Sequence, residues 1–248
     1  MPVPSPLVSA EWLAAHLHDP ELRVLDATVF LHPNPDGAGY IPESGLARWQ
    51  ASHIEGAQFV DLIDAFSDST SKVRFTMPSP AEFCARAGAL GIGDNSTVVI
   101  YSTGSPMWAT RLWWMFRSVG FDACAVLDGG FARWSQHSLP VTATTTSYPP
   151  AQLTPHARPA LWADQADVLA AINDGEVCTI NALSPQVYSG EKNMYGRPGH
   201  IPGSRNVFYD SLINPEDGTW RAPEALRPLF EGVGAFERPK VICYCGGG

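Results

Sequence analysis

Basic residues are scarce in this 248-residue chain: 16 Lys and Arg stand against 25 Asp and Glu, for a formal net charge of −9. A surface of that sign repels phosphate backbones, and no run of Lys or Arg offsets it, so nucleic acid is excluded as an expected partner. Long hydrophobic runs are missing as well. Charge, Gly or Pro interrupts every apolar stretch short of the roughly 18 residues that mark a membrane span, so no membrane partner is expected. The amino terminus, MPVPSPLVSAEW, lacks the basic and apolar regions of a signal peptide, and a cytoplasmic location is expected. The five cysteines (Cys84, Cys124, Cys178, Cys243, Cys245) are odd in number and never spaced CxxC. That pattern argues against a disulfide framework and against a zinc finger, and points to reduced thiols. Cys243 and Cys245 form a CxC pair without a second pair or a His cluster nearby, so no metal is expected.

What is present is an ordinary globular balance, 45% apolar and 17% charged, in a chain long enough for two domains of about 120 residues. An internal repeat supports two. LRVLDAT (22–28) and VCTINA (177–182) are apolar strand patterns; SHIEGAQFVDL (52–62) and GHIPGSRNVFYDSL (199–212) share His-Ile-x-Gly; STVVIYS (96–102) and PKVICYC (239–245) are β-branched runs closing on a hydroxyl or a thiol. His53 lies 49 residues before Ser102 and His200 lies 45 before Cys245. Helices are predicted between the strands. Ser79-Pro80-Ala81-Glu82 is a capping box with Pro in the first turn, and Ser105-Pro106 opens a helix that Gly120 closes. Strands alternating with helices predict an α/β fold with a mostly parallel sheet, flanked by helices, in each repeat. The Thr- and Pro-rich stretch 143–158 has no periodicity and is expected to be an extended linker between a domain at 1–142 and a second at 159–248. After Ser102 the first repeat runs on through a Trp-rich helix, the strand ACAVL and the turn DGGFARW, whereas the second stops three residues after Cys245. The second domain is therefore expected to be incomplete at its carboxyl terminus.

The chemistry is expected at Cys245. A cysteine at the carboxyl end of a parallel strand sits where α/β sheets place ligands, and the glycines after it, Gly246, Gly247 and Gly248, let backbone N–H groups turn inward as an anion nest. Such a nest favours thiolate over thiol and can hold a persulfide anion, as sulfur transfer by covalent catalysis requires. His53 and His200, occurring in both repeats, are expected to be structural. Trp113, Trp114, Met115 and Phe116, at helical spacing, are expected in the core.

The repeat, the run MWATRLWWMFRSVGFDACAVLDGGFARW and above all LDGG followed by Phe131-Ala132-Arg133-Trp134 resemble the thiosulfate and 3-mercaptopyruvate sulfurtransferases of the two-domain rhodanese family. The resemblance covers nearly the whole chain. It implies two tandem rhodanese-like domains: a non-catalytic first one, with Ser102 at the degenerate cysteine position, and a catalytic second one with Cys245 as nucleophile. Gly246, Gly247 and Gly248 match the opening of the family's loop, but CGGG has neither the basic residues of thiosulfate-preferring loops nor the Gly-Ser-Gly of mercaptopyruvate-preferring ones. The family's acidic residue and two arginines after the first strand of this domain are absent, since the sequence there reads INALSPQVYSGEK, with Asn181, Leu183 and Val187. Arg197 is the nearest remaining guanidinium for a donor carboxylate or sulfonate. Trp108 and Arg111 match positions that in the family face the domain interface near the active site.

The implied activity is sulfur transfer from thiosulfate or 3-mercaptopyruvate, through a Cys245 persulfide, to cyanide, a thiol or a thioredoxin-like acceptor, with no metal or organic cofactor. Two alternatives stand beside it: a non-catalytic sulfur carrier or interaction module, and a rhodanese-fold cysteine phosphatase.

Overall fold

Alternating strands and helices build two units in the computed structural model, which describes residues 3–35, 37 and 39–246. The first unit holds Met1–Leu31, Pro42–Pro159 and Asp217–Thr219; the second holds His32–Ile41, Ala160–Glu216 and Trp220–Gly248. Up to residue 60 the elements are β1 (Leu7–Val8), α1 (Ala10–His16), β2 (Leu22–Asp26), β3 (Val29–Pro33), β4 (Tyr40–Ser44), α2 (Leu46–Ala51), β5 (His53–Ile54) and β6 (Gln58–Phe59). There follow α3 (Pro80–Ala89), β7 (Thr97–Tyr101), α4 (Met107–Ser118), β8 (Cys124–Leu127), α5 (Gly130–Gln136) and β9 (Val141–Thr142).

The first unit carries a five-stranded sheet in the order β1-β8-β7-β2-β6, with every pairing parallel. Each residue of β7 and β8 is buried, as a parallel sheet covered on both faces requires. Alternation along the strands divides the core. Leu25, Val98, Ile100 and Val126 pack with Phe83, Leu112 and Phe116 of α3 and α4 on one face, while Val24, Val99, Ala125 and Leu127 pack with Leu13, Phe131 and Trp134 of α1 and α5 on the other.

Local signals set the helix ends. Ser79 accepts a hydrogen bond from the Glu82 backbone N–H while the Glu82 carboxylate accepts from the Ser79 N–H, the predicted capping box. Helix α4 ends in a Schellman motif: Gly120, at φ +88°, donates to Arg117 O and Phe121 donates to Phe116 O. Met115 and Phe116 are fully buried as expected, whereas Trp114 is 36% exposed. The left-handed pair Gly129-Gly130 starts α5 against the end of β7, where Phe131 N donates to Ser102 O and a Cβ on Gly130 would lie 2.6 Å from that oxygen.

The second unit contains α6 (Gln165–Ala171), β10 (Val177–Asn181), α7 (Pro185–Ser189), β11 (Arg205–Asn206), α8 (Pro223–Glu231) and β12 (Lys240–Tyr244). Its sheet is parallel, in the order β11-β10-β12. Cys178, Ile180, Val207 and Ala235 form one small core; Ala171, Val177 and Ile242 form the other. Strand β10 is buried throughout, but β12 has a partner on one side only among the described residues, and Val241 on it is 42% exposed.

Residues 143–158 contain no helix or strand, yet they are bonded along their length to the first unit. Ala151 N donates to Gly88 O, His156 N to Val119 O and Arg158 N to Ser118 O, and the Arg158 guanidinium grips both Asp122 carboxylate oxygens at 2.7 and 2.6 Å. Leu153 joins the core beneath α3 and α4.

Candidate active site

Cys245 directly follows β12, and its thiol is exposed. The strand end is held from two sides. Ala182 N, just past β10, donates to Tyr244 O at 2.9 Å, and the Tyr244 hydroxyl accepts from Ile201 N at 3.0 Å while it pairs with Ser204 Oγ at 2.8 Å. His200 Nδ1 donates to Tyr188 O at 2.7 Å, and its ring stacks on Tyr188 at 3.8 Å. The Tyr188 hydroxyl donates in turn to Ser204 O at 2.6 Å. The His-Ile-Pro-Gly-Ser turn is thus a brace beneath the strand that ends at Cys245.

The first unit repeats the brace around a different residue. His53 Nδ1 donates to Trp49 O at 2.7 Å and stacks on that indole at 4.3 Å, and the Tyr101 hydroxyl accepts from Ile54 N at 3.4 Å. Where the second unit has exposed Cys245, the first has Ser102, which is 3% exposed and donates its hydroxyl proton to Ser105 O at 2.8 Å. The buried Asp26 carboxylate at the end of β2 accepts from the N–H and the hydroxyl of Thr28, whose Oγ1 accepts from Thr103 N at 2.8 Å. Burial pushes the Asp26 carboxyl above its ordinary value against those hydrogen bonds. In the second unit the corresponding strand end is Asn181, whose Oδ1 accepts from Leu183 N at 2.9 Å.

The second unit is longer between its helix and its histidine. The histidine and its stacking partner are 4 residues apart in the first unit and 12 apart in the second. The longer stretch contains the loop 190–199, which carries Tyr195 and Arg197. The ring and hydroxyl of Tyr195 occupy the space where a Cβ on Gly246 would stand, so a larger residue there would displace the phenol. Burial raises the Tyr195 phenol above its ordinary value, and the neighbouring Cys245, Tyr40 and Tyr209 raise it further. Gly39 places Tyr40 in the same neighbourhood, since a Cβ on that glycine would lie 3.7 Å from Met194 O.

Of the other thiols, Cys84 is pushed up to about 11 by burial and by Asp94, Cys124 is raised well above its ordinary value by burial, and Cys243 is raised by burial and by Cys178. Cys178 is buried and donates to Val233 O.

A family profile described as Rhodanese-like domain matches residues 9–137. The chain belongs to the rhodanese family of sulfurtransferases. It is 30% identical over 98% of its length to the sulfur carrier protein TtuD of Thermus thermophilus, covering 82% of that protein. It is 34% identical over 91% of its length to the thiosulfate sulfurtransferase of Cricetulus griseus, covering 76% of it. The crystal structure of the 3-mercaptopyruvate sulfotransferase SseA from Escherichia coli superposes with a TM-score of 0.85 at 29% identity, covering 98% of this chain and 89% of that one.

Within this rhodanese the residues singled out from sequence fall into two places. Cys245 and Gly246 lie together, and Arg197 lies two residues along the loop from Tyr195, which touches Gly246. Arg197 is exposed and has no hydrogen bond or ion pair among the described residues. Gly247 and Gly248 lie outside the described residues. Trp108 and Arg111 are on α4 of the first unit, both near Phe75: the Trp108 ring, 5% exposed, is 4.8 Å from it and the Arg111 guanidinium 5.9 Å. Tyr195 was not among the residues the sequence singled out. The signal for it was the stretch between Tyr188 and His200, which is longer than that between Trp49 and His53 even though the second His-Ile-x-Gly lies closer to β10 than the first does to β2.

Proposed function

We propose that Cys245 is the sulfur-carrying nucleophile, taking a sulfane sulfur from thiosulfate or 3-mercaptopyruvate and passing it to a thiophilic acceptor. The observation that carries this is the contrast between equivalent strand ends: an exposed thiol in the second unit against a buried, internally bonded Ser102 hydroxyl in the first. In the first half-reaction the Cys245 thiolate attacks the donor's outer sulfur, forming an S–S bond. The sulfur's former bond breaks, and sulfite leaves, or pyruvate after taking a proton on carbon. In the second, cyanide, a thiol or a thioredoxin-like protein attacks the outer sulfur and the Cys245 thiolate departs.

The glycines from Gly246 onward are the proposed anion cradle, and Arg197, with its guanidinium unpaired among the described residues, is the proposed partner of the donor's carboxylate or sulfonate. For Trp108 and Arg111 the contacts around Phe75 favour packing of the first unit over contact with donor. No helix among the described residues is long and apolar enough to cross a membrane. Five free cysteines support a reducing, cytoplasmic setting.

The test is intact mass after incubation with each donor. A gain of about 32 Da that cyanide removes and that Cys245→Ala abolishes is the expected result, and the donor that loads faster is the substrate. An alkylatable Cys245 that gains no sulfur from either donor overturns the reading. The Thermus relative named a sulfur carrier motivates a second reading, in which loading occurs but turnover does not. Thiocyanate formed in excess over enzyme separates the two.

A further inference from the structure

The hydroxyl of Tyr195 stands beside Gly246, the residue that follows Cys245. Among the described residues it makes no hydrogen bond, to Cys245 Sγ or to anything else, although its ring atoms touch Gly246. A phenol without a partner is unremarkable on a featureless surface, where water satisfies it. Here it is carried by the stretch between aromatic and histidine that is 12 residues long in the Cys245 unit and 4 in the Ser102 unit, and it is only 43% exposed.

We propose that the Tyr195 hydroxyl donates its hydrogen bond to the sulfane sulfur once that atom is bound to Cys245, making Tyr195 a catalytic residue of the loaded enzyme. The inference rests on the sulfur-transfer reading of Cys245 and adds the group that recognises the cargo. A persulfide places its outer sulfur one S–S bond, about 2 Å, beyond Sγ. That atom carries the negative charge when the persulfide ionises, and it needs a donor that keeps its own proton. Tyr195 meets that need, because a phenol is protonated at neutral pH and burial, followed by Cys245, raises this one further above its ordinary value of 10.0. The same contact stabilises the sulfur as it arrives, when charge moves onto the leaving group and the new S–S bond forms, so it assists loading as well as storage. No proton changes hands: the O–H remains on Tyr195 in both half-reactions, and the electron pairs move as in the sulfur transfer itself.

Tyr195→Phe keeps the ring on Gly246 and removes only the donor. Three rates are read by intact mass for the parent and the variant: alkylation of Cys245 by iodoacetamide, loading at saturating thiosulfate or 3-mercaptopyruvate, and discharge of the persulfide by cyanide. The expected result is alkylation within twofold of the parent and loading slower by about tenfold, the size of one hydrogen bond to a charged group. Loading and discharge at parental rates in Tyr195→Phe would show that the ring merely packs on Gly246 and would overturn the proposal. An equal fall in alkylation and loading would also overturn it, because the hydroxyl would then act on the resting thiol. If the parent alkylates but does not load, the sulfur-transfer reading fails and takes this role with it, an outcome distinct from the other two.

Discussion

At Gly246 the absence of a side chain is what admits Tyr195 to the loop after Cys245. A methyl group there collides with the phenol ring, so Gly246→Ala is expected to displace Tyr195 and to slow sulfur loading as much as removing that side chain does. Adding Tyr195→Ala to Gly246→Ala should then slow loading no further, because both changes break one contact. Loading rates by mass for the two single variants and the double variant check this. Asp26 gives the pH prediction. Its folded-state value is raised above the ordinary 3.8, mainly by burial. Below the unfolded value both states hold the proton and the shift contributes nothing; as pH rises through the folded value a buried carboxylate must ionise or remain protonated against solvent pH, and stability is lost. Asp26→Asn keeps an oxygen for Thr28, as Asn181 does for Leu183 in the second unit, and does not ionise. Relative to the parent, the variant is expected to gain stability between about pH 4 and pH 7. Urea midpoints at the two pH values measure it, and an unchanged difference would count against the burial argument.

At the scale of elements the sequence was legible wherever a local rule decides the backbone. The Ser79 capping box and the Gly120 helix end follow from side chains within five residues of each other, and both are present as predicted. Strands β2, β7 and β10 were visible as apolar runs because buried parallel strands need apolar residues on both faces, and β12 shares the apolar pattern although only Ile242 on it is buried. Ser79→Ala removes one acceptor from an exposed helix start and is expected to lower stability by about 1 kcal/mol, read from the urea midpoint. The loop 190–199 was not legible in the same way. Its Gly- and Pro-rich sequence marks a turn, but the contact that matters joins Tyr195 to a glycine far along the chain, and no short-range pattern encodes that. Trp114 fell outside the expected core for a related reason: helical spacing puts it next to buried residues, but only the packing of α4 decides which side meets water.

Across the whole molecule the repeat predicted two α/β units, and the two sheets share the strand register that places Ser102 and Cys245 at equivalent ends. The units differ in how deeply those strands are buried. Strand β7 lies between two neighbours and is buried at every residue, while β12 has one neighbour among the described residues and exposes Val241. Amides of 240–244 are therefore expected to exchange with solvent faster than those of 97–101, as hydrogen exchange followed by mass can show; equal protection would contradict the burial difference. Chain order also proved a poor guide to membership. Residues 32–41 come from the first repeat yet group with the second unit, and 143–158, a linker by composition, is bonded to the first.

That bonded stretch changes what limited digestion of the protein would report. Threonine, proline and the lack of helix or strand make 143–158 look like the natural place for a protease to enter. Binding in a protease cleft requires a segment to leave its partners, and here those include Gly88, Val119, Ser118 and both oxygens of Asp122. The rate of cutting within 143–158 becomes a clock for local opening of the first unit, and a nick there would record a loosened domain rather than an exposed tether.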